Sequence, residues 1–195
     1  MITDLLSNIS IFEGQKWNWA GKTISLIIAL IFIFFCKSLT AKQYGLTSKI
    51  ATKKASSILL FCIGYTLFRF ILYLTITKET KTFHIETILF QSSMPGITEE
   101  IIFRGILITL LNLAFPNPKW IFFHVSFGWA TVITSILFGY THGVYFDNSF
   151  HVHFDFFVVV RTTFEGFLFA LLFEKTKSLI PGSLFHNILN LIGNH

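Results

Sequence analysis

Two adjacent carboxylates and a guanidinium sit inside a long apolar run. The stretch Thr98-Glu99-Glu100-Ile101-Ile102-Phe103-Arg104-Gly105 follows Ile85-Glu86-Thr87-Ile88-Leu89-Phe90 and precedes Ile106-Leu107-Ile108-Thr109-Leu110-Leu111. On a helix, Glu100 and Arg104 are four residues apart, lie one above the other and neutralise each other. Glu99 falls about 100° round the helix, on the face of Phe103, with no cation on its own element. A lone carboxylate among apolar side chains is costly, so Glu99 demands a partner from elsewhere in the chain or a neutral form. Other elements must therefore close over this face of the helix. A structural ion-pair cluster and a functional site both satisfy that demand.

The rest of the chain supplies material for the enclosure. Of its 195 residues, 53% are hydrophobic and 13% charged, against about a quarter charged in soluble domains. That is the composition of an integral membrane protein. The length suits a single domain over residues 1–195 with about six spanning segments of about 20 residues each. The expected fold is all-α: a polytopic transmembrane helical bundle. The net charge of +5 does not imply a nucleic-acid partner, because Lys and Arg of a membrane chain mainly set its orientation. Cys36 and Cys62 lie in apolar segments, outside any CxxC arrangement, and read as packing residues. The first apolar run follows Asp4 and Glu13 with no basic lead, so a cleaved signal peptide is not expected.

The first span runs from Thr23 to Cys36 and extends back to Trp19, with Trp17 and Trp19 as interfacial anchors. The loop from Lys37 to Lys54 holds five lysines and no acid, which places it in the cytoplasm. Ala55 to Ile76 is the second span and carries Arg69. A polar loop, Thr77 to Thr82, precedes the long apolar region His84 to Ala114. Met94-Pro95-Gly96 interrupts that region one turn before Glu99, so the helix carrying the paired glutamates is expected to be kinked. After the Pro116 and Pro118 turn, Trp120 to Tyr140 is the next span. Phe154 to Glu174 follows, with Arg161 and Glu165 spaced to pair and a small-xxx-small pair at Gly166 and Ala170. Ile180 to Ile192 is the last helix.

Two further spacings bear on chemistry. Phe138 lies one turn before His142, and His186 shares a helix face with Asn190. An imidazole beside a carboxamide can bind an oxyanion, orient a water or ligate a metal. The ordered set Glu-Glu-x-x-x-Arg, Phe-x-x-x-His and His-x-x-x-Asn resembles the CPBP family. That family comprises type II CAAX prenyl endopeptidases and bacteriocin-processing or immunity proteins. The matching residues are Glu99, Glu100, Arg104, Phe138, His142, His186 and Asn190, within a motif core of residues 85–193. Phe103-Arg104-Gly105 matches the tail of the first motif, and Tyr44-Gly45-Leu46 an earlier Gly-Leu element.

The resemblance implies an intramembrane endopeptidase, multi-pass in a bacterial inner membrane, acting on a membrane-associated or lipidated protein or peptide. It implies Glu99 as general base, with His142 positioning the water. His186 and Asn190 would stabilise the tetrahedral intermediate, while Glu100, Arg104 and Phe138 support them. No serine or cysteine has an obvious basic partner, so direct attack by water fits the residues present. HExxH is absent, and a metal-free glutamate mechanism is the expectation. Glu99, His142 and His186 could nonetheless supply the ligands of a zinc ion. A non-catalytic immunity or partner-binding protein of the same fold is the alternative. His151 and His153, with Asp147 and Asp155, could form a second metal cluster but read as a polar loop.

Overall fold

The computed structural model describes residues 14–36, 38–50, 52–76, 84–117, 119–147 and 149–193. Asp4, Glu13, Lys37, the Thr77 to Thr82 loop, Pro118 and His195 lie outside the described residues. In chain order, α1 is Trp19–Phe35, α2 Thr52–Ile76, α3 Ile85–Gln91 and α4 Met94–Glu100. Helix α4 runs without a gap into a π-helical segment, Ile101–Ile108, and then α5, Thr109–Ala114. A hairpin of β1 (Lys119–Phe122) and β2 (Val125–Gly128) leads into α6, Trp129–Gly143. A second hairpin, β3 (Val144–Phe146) with β4 (Val152–Phe154), leads into α7, Phe156–Thr176, and α8 spans Ile180–Gly193.

Helix α7 is the axis of the bundle. Asp155 caps it, accepting the Val158 N–H at 3.0 Å, and Lys177 ends it in a left-handed conformation. Its Leu168, Phe169, Leu171 and Leu172 are buried against Phe138 of α6 and Phe185 and Leu189 of α8. Both α2 (as Ala55–Ile76) and α7 are long and apolar enough to cross a membrane, but 56% of the α7 window is buried and only 11% of the α2 window. Ile28, Phe34 and Phe35 of α1 and Leu60, Phe68 and Leu74 of α2 are exposed, which gives the outer helices an apolar surface suited to lipid. Helices α6 and α7 pack closely because Gly139 has no side chain. A Cβ there would stand 2.7 Å from the Val159 carbonyl oxygen.

Two expectations are corrected. Trp120 to Tyr140 is not one span, and the mostly helical fold also carries two short β-hairpins. Strands β1 and β2 pair antiparallel, with Trp120 opposite Phe127 and Phe122 opposite Val125. Phe123 and His124 take positive φ values of 48° and 58°, as the twist of a two-residue hairpin turn requires. Aromatic and β-branched residues on both sides favour strand, so helix begins only at Trp129. In the region before Glu99 the break lies at Ser92 and Ser93, and Pro95 sits in the first turn of α4. There its missing N–H breaks no helical hydrogen bond.

Candidate active site

Glu100 and Arg104 are both fully buried, with Arg104 Nη1 3.0 Å from Glu100 Oε1. That contact is one of charge rather than an aligned hydrogen bond. Arg104 Nη2 donates to the Gly166 carbonyl at 2.9 Å, and the guanidinium lies over the Phe138 ring, 4.5 Å from its centroid. Gly166 leaves the room for this: a Cβ there would meet Phe138 Cδ1 at 3.1 Å and Arg104 Nη2 at 3.3 Å. Burying a carboxylate with its cation in this way costs less than burying either alone.

Glu100 also fixes a histidine. His186 Nδ1 lies 3.1 Å from Glu100 Oε1. The ring is anchored through Nδ1 and presents Nε2 on its other side. The His186 ring stacks on Phe169, 4.8 Å between centroids, and meets Phe138 edge-on at 5.5 Å. His142 is fixed by the same logic. Its Nδ1 lies 2.8 Å from the Phe138 carbonyl oxygen, which can only accept, and its ring packs 4.4 Å from the Phe138 centroid. Phe138 therefore touches Arg104 with its face, His186 with its ring and His142 with its ring and backbone.

Both Nε2 atoms face one oxygen of Glu99. His142 Nε2 is 3.4 Å from Oε2, and His186 Nε2 is 3.7 Å from it. That oxygen is buried and accepts no hydrogen bond among the described residues. The other oxygen, Oε1, forms an ion pair with Lys22 of α1. Lys22 is the cation that Glu99 demanded and that the sequence reading did not find. The available signal was complementarity. Helix α1 is an apolar helix with no acid of its own, and its lysine matches the glutamate left over on α4.

Glu99, His142 and His186 thus come together from α4, α6 and α8. Asn190 lies one turn beyond His186 and lines a cavity of about 200 Å³ together with His142, His186 and Phe138. A second asparagine, Asn187, drew no notice in the sequence. Its Oδ1 accepts the Gly96 N–H at 2.8 Å, and its Nδ2 donates to the Ser92 carbonyl at 2.8 Å. It therefore binds the two sides of the α3–α4 break that precedes Glu99. Tyr44 of the Tyr44-Gly45-Leu46 element is fully buried, and the Gly45 carbonyl accepts the Leu179 N–H at 3.1 Å.

Two imidazole nitrogens and a carboxylate oxygen, with tautomers set by a carbonyl and a carboxylate, are donor types that zinc accepts. The Lys22 ammonium pairs with the same carboxylate, so a dication bound there would compete with it for Glu99. Among the described residues, no group of three or more His, Cys, Asp or Glu side chains is arranged to hold a metal ion. His151 and His153 instead contact Asp147 at 3.3 Å and 3.0 Å on the exposed β3–β4 hairpin. Hydrogen bonding, first from His153, holds the Asp147 carboxyl below its ordinary range.

The family model for type II CAAX prenyl endopeptidase Rce1-like proteins matches residues 81–192. The chain belongs to this family. The matched stretch takes in every motif residue from Glu99 to Asn190 and leaves out Lys22. No curated protein and no solved structure matches the chain. Membership makes this a CAAX-protease-like membrane protein.

Proposed function

We propose that this family member is an intramembrane endopeptidase that hydrolyses a peptide bond of a prenylated or otherwise membrane-associated protein. The supporting observation is Glu99 Oε2: a buried carboxylate oxygen with no hydrogen bond among the described residues, flanked by two imidazole nitrogens. A water there can donate one proton to Glu99 and the other to His142 Nε2, which turns its lone pairs toward a substrate carbonyl.

Glu99 takes a proton as the water oxygen bonds to the carbonyl carbon. The negative charge that forms on the carbonyl oxygen meets the Asn190 carboxamide N–H and the His186 imidazole. Glu99 then passes its proton to the departing amine as the C–N bond breaks. Lys22 pairs with Glu99 Oε1 and leaves Oε2 to the water, and no step uses a metal. The chain is read as multi-pass in a bacterial inner membrane. Helices α1, α2, the α3–α5 unit, α6, α7 and α8 serve as its membrane segments.

The test is cleavage of a fluorescent prenylated peptide by the purified protein in detergent. Wild-type protein cleaves, Glu99→Gln does not, and a strong chelator leaves the rate unchanged. Chelator inactivation that zinc reverses would overturn the metal-free mechanism. Undiminished cleavage by Glu99→Gln would remove the proposed base.

A further inference from the structure

A second set of charges faces the same cavity. Glu165 of α7 is buried. It forms an ion pair with Arg69 of α2 and accepts the Tyr65 hydroxyl at 2.9 Å. Arg161 Nη1 stands farther off, 3.6 Å from Glu165 Oε2. Two guanidiniums against one carboxylate leave one positive charge in surplus. Arg69 has a side chain 13% exposed and is the closer partner, so it neutralises Glu165. The Arg161 side chain is 44% exposed and carries the surplus charge. Arg161 lines the cavity that also holds His142, His186 and Asn190.

A guanidinium on the wall of an apolar bundle is stabilised by an anion, and its planar fork matches a carboxylate in particular. A C-a-a-X tail carries a free carboxylate three residues beyond its modified cysteine, about 10 Å away at full extension. We propose that Arg161 binds the free C-terminal carboxylate of the substrate tail while the bond to be cut lies at Glu99. The subsite would make the protein selective for chain ends over internal segments. It rests on the protease reading of the cavity, and binding and cleavage are therefore measured separately.

The probe is a fluorescent peptide of an S-farnesyl cysteine followed by three apolar residues, made with either a carboxylate or a carboxamide end. Binding is read by anisotropy on Glu99→Gln protein in micelles. The acid should bind about tenfold more tightly than the amide, the effect of one charge-assisted contact. Adding Arg161→Gln should bring the acid down to the level of the amide, and Arg161→Lys should restore part of the preference. Because Arg69 still neutralises Glu165, Arg161→Gln strands no buried charge, and an unchanged melting temperature checks its fold. Equal binding of acid and amide, no binding of either, or a preference that survives Arg161→Gln would each overturn the subsite. An acid preference without any wild-type cleavage would instead uphold the subsite and sink the protease reading.

Discussion

Glu99 and Asp147 each stand against two imidazoles, yet their surroundings have little in common. Asp147 sits on a hairpin in water. Its Oδ1 accepts the Ser149 and His151 N–H groups at 2.8 Å and 2.9 Å, and its Oδ2 takes both histidine contacts. Both of its oxygens are taken by protein partners. The Glu99 side chain is 14% exposed, one of its oxygens is held by a cation, and the other faces two ring nitrogens without a hydrogen bond. The partners of Asp147 come from one short loop, whereas those of Glu99 come from three helices. The difference lies in an unsatisfied acceptor, held rigidly and out of bulk water, and not in the kinds of residue assembled.

The sharpest way to break the comparison is to neutralise each carboxylate. Glu99→Gln should lower peptide cleavage by about 10²–10⁴, the usual cost of losing a general base. Asp147→Asn should leave the rate within about twofold, since a solvated surface contact contributes little. Equal losses would show that the hairpin belongs to the site.

Stability should separate the neighbouring glutamates. Glu100→Gln or Arg104→Ala leaves a buried charge unpaired and should cost about 3–5 kcal/mol, read as a lower melting temperature in detergent. Glu99→Gln should cost much less, because Lys22 is 27% exposed and its head can reach solvent. Three equal melting temperatures would contradict this division of labour.

Lys22 should act on rate rather than fold. Lys22→Met should lower kcat about tenfold, one charged hydrogen bond, with KM unchanged, and Lys22→Arg should recover most of the loss. A KM effect alone would assign Lys22 to substrate binding.

The smallest effect expected is the pH response of the hairpin. The folded Asp147 carboxyl titrates below the ordinary aspartate value of about 4. Its contribution is therefore present above that value and lost as pH falls through the lower folded one. The Ser149 amide resonance should keep its bonded position down to about pH 4 and move only below it.

Much of this was legible in the sequence. The Glu100–Arg104 spacing predicted a buried pair, and the ordered motifs predicted which helices must meet. Lys22 escaped because it lies 77 residues from Glu99, where no helical spacing connects them. Asn187 escaped because its partners are backbone groups, which carry no signature in the side chains. The β1–β2 hairpin was hidden by apolarity. In a membrane chain, a run such as Trp120-Ile121-Phe122-Phe123 reads as part of a span until the turn at Phe123 and His124 is seen. The π-helical segment after Glu100 was equally invisible, since nothing in Ile101–Ile108 distinguishes a wider turn from an ordinary one.

The Asn187 clamp also has a bearing on biosynthesis. Gly96 leaves the ribosome 91 residues ahead of the side chain that receives its N–H. At about 5–20 residues per second, that is a delay of roughly 5 to 20 s. For that interval the nascent α3–α4 junction must be tended by water, lipid headgroups or the insertion machinery. We expect stalled chains ending before residue 187 to be cut near Ser92 by added protease, and released full-length protein to resist. Such a delay would keep the candidate site unassembled until α8 has been made.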